Sequence, residues 1–315
     1  MSINPIQMQK GLAFSEFLSD YGTEEQCKAA VYRARWPCGF RCPACNDARA
    51  TEFMRGRTRY WQCCACAHQT TLVAGTMMQH TRLPLMKWFL AMYLVTQSKT
   101  NIAALALRRQ VGVSWKTAWL LKHKLMDTMR QAEEDKPLCG DIRVDDAYLG
   151  GERNGGKPGR GSENKTAFVV SVEMKEDRPQ RVRFDVVAGF SFPALRPWAR
   201  NALVPGSNIV SDGLIGFEIV RQYGCSHQVV ISPKGKPGTE INAFKWLNVI
   251  LGNLKTALLG THHAFKFSKY APRYLAEVQY RFNRRFDLTL MIPSLINMIA
   301  IAKPCPYGRI LPLTE

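Results

Sequence analysis

A chain of 315 residues, with 46% hydrophobic and 22% charged side chains, is too long for one small core and has an ordinary globular composition, so two or three domains are expected. Its 43 Lys and Arg against 25 Asp and Glu give a formal charge of +18, a surplus that disfavours self-association and favours polyanions, nucleic acid ahead of an anionic membrane. Met1 to Lys10 lacks an apolar leader, and the most apolar run, Leu83 to Val95, contains Lys87 and is too short to span a bilayer, so a cytoplasmic protein without a membrane role is expected.

In a reducing compartment the ten cysteines read as metal ligands or buried thiols before disulfides. Cys42 and Cys45 enclose two residues, as do Cys63 and Cys66, and seventeen residues separate the pairs. Two intervening residues let a tight turn aim both thiolates at one ion, and two such turns complete a tetrahedron around Zn²⁺. Thr51 to Gln62 reads as a strand pair around Arg55-Gly56-Arg57, completing a zinc ribbon. Four buried thiols without metal is the competing reading, but pairs at this spacing rarely arise for packing alone. Cys38 and Cys64 are spare thiols. Zinc is expected to be structural, because so small a ribbon gains little from apolar burial. Arg49, Arg55, Arg57, Arg59, Tyr60 and Trp61 predict a basic, aromatic face suited to DNA, a face that a merely solvated ribbon also carries.

Next come helices. Leu85, Trp88, Phe89, Met92 and Val95 follow Leu83-Pro84 at helical spacing. A short helix is predicted over Asn101 to Arg109, then a break at Val111-Gly112-Val113 with Ser114 as N-cap. The following helix carries Ala118, Leu121, Leu125 and Met129 on one side and Lys116, Thr117 and Lys124 on the other. This is the outline of a helix-turn-helix, and equally of a plain helical hairpin. His123 reads as a surface or packing residue. Glu133-Glu134-Asp135 and Pro137 predict a linker. The chain is thereby divided into a ribbon region (1–80), a helix-turn-helix segment (81–136) and a third domain (137–315).

Beyond Pro137 the texture changes to strands. Ile142–Leu149, Thr166–Met174 and Arg181–Ala188 read as three strands, the last two joined by a polar turn at Asp177 and Pro179. Asn154 to Asn164 reads as a glycine-rich, basic loop. A helix over Pro193–Leu203, a strand over Ser207–Ser211, a helix over Leu214–Tyr223, a strand over His227–Ser232 and a long helix over Glu240–Leu259 complete the series. That order predicts an α/β, RNase-H-like domain with a mixed five-stranded sheet. In it, Asp145 inside the first strand and Asp212 just after the fourth lie side by side, and a third ligand comes from the late helix. Carboxylates so placed suit two hard divalent ions, Mg²⁺ or Mn²⁺, which phosphodiester chemistry needs about 3.5–4 Å apart. An Asp before glycine at a strand end is also a common turn residue.

Longer motifs carry a resemblance. Cys42-Pro43 … Cys63 … Cys66, Gln69-Thr70-Thr71, Ala74-Gly75-Thr76 and Trp88-Phe89 resemble the front of bacterial insertion-sequence transposases, in the zinc-ribbon family numbered fifteen ninety-five. Gly112-Val113-Ser114 … Thr117-Ala118-Trp119 is similar to its helix-turn-helix. Asp145 through Glu152 with Gly159 through Lys165, Ser211-Asp212-Gly213, and Trp246 … Asn248 … Gly252-Asn253-Leu254-Lys255 resemble its catalytic segments, and Phe265 to Asp287 its closing helix. The likeness runs from about residue 15 to 303.

The resemblance implies a site of Asp145, Asp212, Asn248 and Lys255. Asp145, Asp212 and Asn248 would ligate Mg²⁺ or Mn²⁺; the Asn248 amide brings an oxygen without charge, so the second ion is expected to bind more weakly. Lys255 lies two helical turns on, placed either to hold a phosphate or as a solvated surface lysine. Glu240 is a lesser substitute acid. Asp146, one residue from Asp145, is expected on the opposite sheet face in a supporting role. The implied function is binding of double-stranded DNA, at terminal inverted repeats and target, with metal-dependent cleavage and strand transfer by a homo-oligomer on nucleoid DNA. A DNA-binding regulator without catalysis, or a nuclease that cuts without joining, shares most of these features.

Overall fold

The computed structural model describes residues 9–98, 100–150, 165–231, 242–262 and 267–311. The expected loop at 154–164, Glu152, Glu240 and the end of the strand predicted to reach Ser232 lie outside the described residues. The chain forms two compact units, one of residues up to Met129 with those from Phe286 on, the other Arg130–Arg285.

The first unit opens with α1 (Phe14–Tyr21) and α2 (Glu24–Arg35), which sequence patterning does not single out. α2 starts at a capping box: Thr23 Oγ1 accepts from the Gln26 amide at 3.2 Å, and Gln26 Oε1 accepts from the Thr23 amide at 2.9 Å. β1 (Ala50–Arg55), β2 (Thr58–Cys63) and β3 (Gln69–Thr71) form an antiparallel sheet. Arg55 pairs with Thr58, leaving Gly56-Arg57 as a two-residue turn in which Gly56 takes φ +62°, a conformation open to glycine. Trp36, Phe40 and Trp61 pack with Cys42 and Cys63 in a small core. The ribbon therefore has an aromatic core besides any metal. Trp61 is buried in it, its Nε1 donating to Glu52 at 2.9 Å, and so does not belong to the outward face expected of it.

α3 (Leu85–Gln97) buries Leu85, Trp88, Phe89, Met92 and Val95, the residues its spacing predicts. Pro84 cannot cap it; instead Glu24 accepts from the Leu85 and Met86 amides at 3.0 and 3.1 Å. α4 (Ala104–Val111) ends on Gly112 in the left-handed conformation, and α5 (Trp115–Glu134) follows with Ser114 Oγ accepting from the Thr117 amide at 3.2 Å.

The second unit contains β4 (Asp141–Leu149), β5 (Thr166–Lys175), β6 (Arg178–Val186), α6 (Phe192–Ala202), β7 (Asn208–Ser211), a 3₁₀ segment over Ile215–Tyr223, β8 (Ser226–Val229), α7 (Lys245–Leu259) and α8 (Phe267–Asn283). The sheet order is β6-β5-β4-β7-β8. β4, β5 and β6 are antiparallel, whereas β7 lies parallel to β4 and β8 parallel to β7. This is the RNase-H-like arrangement that the order of elements predicts. The β5–β6 turn is Glu176-Asp177, both at positive φ, which matches the twist of an antiparallel hairpin, while Pro179 sits in β6 at a register shift.

Two faces follow from strand alternation. Ile142, Val144 and Val169 pack with Leu195 and Trp198 of α6 in one core. The alternate residues Val170, Val172, Phe168, Val182 and Phe184 are buried on the other face, where α7 packs on β4 and β5, and α8 on β5 and β6. α8 also covers the open edge of β6: Gln279 Oε1 accepts from the Phe184 amide at 3.0 Å, and Asn283 both accepts from and donates to the Val182 backbone. Glu133 and Glu134 belong to the last turn of α5 rather than to a linker, because Glu133 is buried in an ion-pair network. α9 (Met291–Ile301), which sequence reading assigns to the third domain, packs on α2 and α3.

Candidate metal centres and active site

The two Cys pairs form matching knuckles. After Cys45 the chain turns through Asn46 at φ +63°, and after Cys66 through Ala67 at φ +57°. The Asn46 amide donates to the Cys42 carbonyl at 2.9 Å, and the Ala67 amide to the Cys63 carbonyl at 3.0 Å. An alanine in the left-handed region is strained, and each knuckle adopts this geometry to aim its sulfurs inward. All four Sγ atoms lie within 4.8 Å of one another, with Cys42 to Cys66 at 3.6 Å and Cys45 to Cys63 at 3.5 Å. Thiolates 2.3 Å from a tetrahedral Zn²⁺ stand about 3.8 Å apart, so the cluster fits that ion. Desolvation pushes the Cys42 thiol up, but amide hydrogen bonds from Cys45 and Ala44 win and bring it down to about 7. At Cys45 and Cys66 the Asp47 and His68 amides are outweighed by the neighbouring thiols, which push Cys45 up to about 12 and Cys66 upward, so the four sulfurs share thiolate charge unevenly until a cation offsets it. Cys38 and Cys64 are exposed and outside the cluster.

The second cluster is acidic. Carboxylate oxygens of Asp145, Asp146 and Asp212 lie within 4.8 Å of one another. β4 carries the first two, and Asp212 follows the last residue of β7. The parallel β4–β7 ladder ends at Val144↔Ser211, so all three acids lie just beyond its last rung. That termination explains how Asp146, on the opposite face as expected (it pairs with Val169, Asp145 with Val170), still brings a carboxylate oxygen close to those of Asp145 and Asp212. Alternation puts neighbouring side chains on opposite faces, but beside Asp145 and Asp146 no β7 residue remains to separate those faces. The Asp146 amide donates to Asp145 Oδ1 at 2.9 Å, and the Leu214 amide to Asp212 Oδ1 at 3.1 Å, fixing one oxygen of Asp145 and one of Asp212. Three carboxylates this close repel unless a cation bridges them, and hard oxygen donors suit a divalent ion.

Residues 137–283 match the ISXO2-like transposase domain, and residues 22–69 match the transposase zinc-ribbon domain. The chain belongs to the ISXO2-like, zinc-ribbon transposases. It is similar to the uncharacterized protein in transposable element ISH50 of Halobacterium salinarum, 28% identical over 136 residues, which are 42% of this chain and 44% of that protein. The chain thus spans less than half the length of the curated relative it matches.

Asn248 and Lys255 sit on α7, which packs on β4 and β5. Leu247, Ile250, Leu254 and Leu258 form its buried stripe; Asn248, half-buried, and Lys255, exposed, lie together on the flank of that stripe. Trp246 ties the first turn of α7 to the β5–β6 turn, donating to the Asp177 carbonyl at 2.7 Å. Sequence reading did not single out Arg143, two residues before Asp145 and therefore on its face, whose Nη1 is buried with no hydrogen-bond partner among the described residues. Nor did it find His227, which meets Ser211 beside Asp212, or Glu218, which meets His227. Their signal, single polar residues in short segments, is too sparse to stand out in one sequence.

The segment read as a helix-turn-helix is more buried than its pattern predicts. Lys122 is buried and donates to the Ile102 carbonyl at 2.5 Å, His123 is buried against the Trp119 ring, and half-buried Lys124 donates to the Met77 carbonyl at 3.2 Å. The exposed cations and aromatic are Arg108 and Arg109 at the end of α4, and Trp115 and Lys116 in the first turn of α5. Among the described residues no helix is long and apolar enough to cross a membrane.

Proposed function

We propose that this transposase binds the terminal inverted repeats of its insertion sequence as double-stranded DNA, cleaves a strand there and joins it to target DNA. The observation that carries the reading is the convergence of the Asp145 and Asp212 carboxylates just beyond the last rung of the parallel β4–β7 ladder in an RNase-H-like sheet. Divalent ions, Mg²⁺ or Mn²⁺, would supply activation of the attacking hydroxyl and stabilisation of the leaving oxygen. Asp145, Asp212 and Asn248 hold the ions, and Lys255 holds the phosphate beside them. Asp146 adds negative charge that partly replaces what Asn248 lacks. Zn²⁺ on Cys42, Cys45, Cys63 and Cys66 fixes the ribbon. The ribbon region through residue 80 and the segment 81–136 grip the element end, and the catalytic domain starts at 137.

The exposed first turn of α5 supports this assignment, since recognition helices present their N-terminal residues to base edges. Two ends must be joined, so the active species is a homo-oligomer assembled on DNA in the cytoplasm. The test incubates full-length protein with labelled element-end DNA, a plasmid target and Mg²⁺ or Mn²⁺, beside Asp145→Ala. Joined product from the wild type, absent from the variant while DNA binding persists, is expected. Wild-type binding without cleavage would instead identify a DNA-binding protein without catalysis.

A further inference from the structure

A chain of buried polar side chains ends on Asp212. Ser211, the last residue of β7, is fully buried. Its Oγ lies 2.9 Å from the Asp212 carbonyl and 2.8 Å from His227 Nε2. His227 stands on β8 with its side chain fully enclosed, and its Nδ1 meets Glu218 Oε1 at 3.0 Å. Arg221 closes the outer end, donating from Nε to Glu218 Oε2 at 2.6 Å and from Nη2 to the His227 carbonyl at 2.7 Å. The Arg221 contact, ahead of the His227 contact, holds the Glu218 carboxyl below its usual range.

Burying a serine and a histidine between two short strands costs desolvation that apolar side chains would avoid, so the arrangement is maintained for what it positions. It reaches the backbone of one residue, Asp212. That residue has one carboxylate oxygen fixed by the Leu214 amide and a carboxylate oxygen within 4.8 Å of those of Asp145 and Asp146. Ser211 itself is enclosed and has no access to substrate.

We propose that Glu218, His227 and Ser211 are positioning residues for Asp212, holding the strand end so that its carboxylate meets a divalent cation at the angle set by Asp145. The proposal rests on the assignment of the acidic cluster as a divalent-metal site. Partners one step behind a ligand typically change metal affinity by about 10- to 100-fold when removed.

Direct Mn²⁺ binding by the full-length chain, followed by the EPR signal of free Mn²⁺, tests this, with Asp145→Ala as background. Ser211→Ala and His227→Leu are expected to raise the Mn²⁺ dissociation constant about tenfold or more. Ser211→Thr, which keeps the hydroxyl, is expected to stay near wild type. Glu218→Leu, at the half-exposed outer end, perturbs the core least and is expected to shift affinity in the same direction. Unchanged Mn²⁺ affinity in Glu218→Leu and His227→Leu, whatever their Tm, overturns the proposal and leaves the network a fold element. Mn²⁺ binding indifferent to Asp145→Ala would remove the metal site itself, a failure distinct from that of the relay.

Discussion

Glu133 on α5 and Asn283 on α8, 150 residues apart in sequence, are joined by a 3.1 Å hydrogen bond from Asn283 Nδ2 to Glu133 Oε2. Asn283 also takes the place of a neighbouring strand for Val182, accepting from its amide at 2.8 Å and donating to its carbonyl at 3.0 Å. Arg284 and Lys136 pair with the other Glu133 oxygen at 2.9 and 3.3 Å. One buried carboxylate thus ties the end of α5 to the helix that covers the β6 edge.

Removing the Arg284 cation should expose what that carboxylate costs. Burial pushes the Glu133 carboxyl up, but Arg284 and Lys136 more than offset it, and its pKa lies below the usual value of 4.5. A depressed folded-state pKa contributes stability that is present above the unfolded value and is lost as pH falls through the folded one. Arg284→Met leaves burial opposed mainly by Lys136 and is expected to cost about 3–5 kcal/mol at pH 7. The deficit should shrink towards pH 4 as Glu133 takes up a proton, and Glu133→Gln in the same chain should recover much of it. Denaturant unfolding at several pH values measures this; a pH-independent loss under about 1 kcal/mol would reduce the pair to the worth of a surface contact.

What the sequence conveyed here depended on range. The Cys pairs, the apolar stripe of α3 and the order of strands are local or periodic signals, and each appears in the structure where the pattern puts it. Asp145 and Asp212 were legible because strand order alone makes them neighbours. Asp146 keeps the alternation expected of it, pairing with Val169 where Asp145 pairs with Val170, but its closeness to the other acids was not legible, because alternation says nothing of where a partner strand stops. Glu133 looked like a linker residue because its partners Asn283 and Arg284 lie at the far end of the domain. Trp61 and Lys124 look exposed by composition, yet packing by Trp36 and a carbonyl at Met77 enclose them.

Metal removal should unfold the ribbon selectively. Its apolar core is small, and structural Zn²⁺ contributes roughly 10 kcal/mol or more in comparable modules. Chelation, or Cys63→Ser, is expected to alter the fluorescence of Trp36 and Trp61, which pack edge-to-face at 5.3 Å beside Cys63. Acid should act likewise, because thiolates lose the ion as they protonate. Tryptophan emission unmoved by full chelation, with zinc loss verified by elemental analysis, would show that aromatic packing alone holds this region.

At the acidic cluster, function and stability should oppose each other. Three carboxylates with oxygens within 4.8 Å repel when no cation is bound. Asp212→Asn is therefore expected to raise metal-free Tm by several degrees, equivalent to about 1 kcal/mol, while abolishing strand cleavage. The rise in wild-type Tm on adding Mg²⁺ should vanish in the variant. Asp146→Asn should give a similar stabilisation but a smaller loss of cleavage, since its part is charge rather than ligation. A metal-free Tm that falls in both variants would mean the acids are held apart by contacts stronger than their repulsion.

Within α5, DNA contact should be confined to the first turn. Trp115 is 55% exposed, and Lys116 reaches solvent beside Tyr307, its Nζ 5.1 Å from that ring. Two turns on, Lys124 is half-buried, and burial lowers its pKa. Lys116→Ala should weaken element-end binding and lower the slope of log affinity against log salt by about 1, as loss of one phosphate contact does, without a change in Tm. Lys124→Ala should do the reverse, lowering Tm through the lost bond to Met77 while leaving the salt slope unchanged. Salt titrations of a fluorescent end duplex separate the two. A reduced salt slope in Lys124→Ala at wild-type Tm would place the contact surface further along the helix than its burial allows.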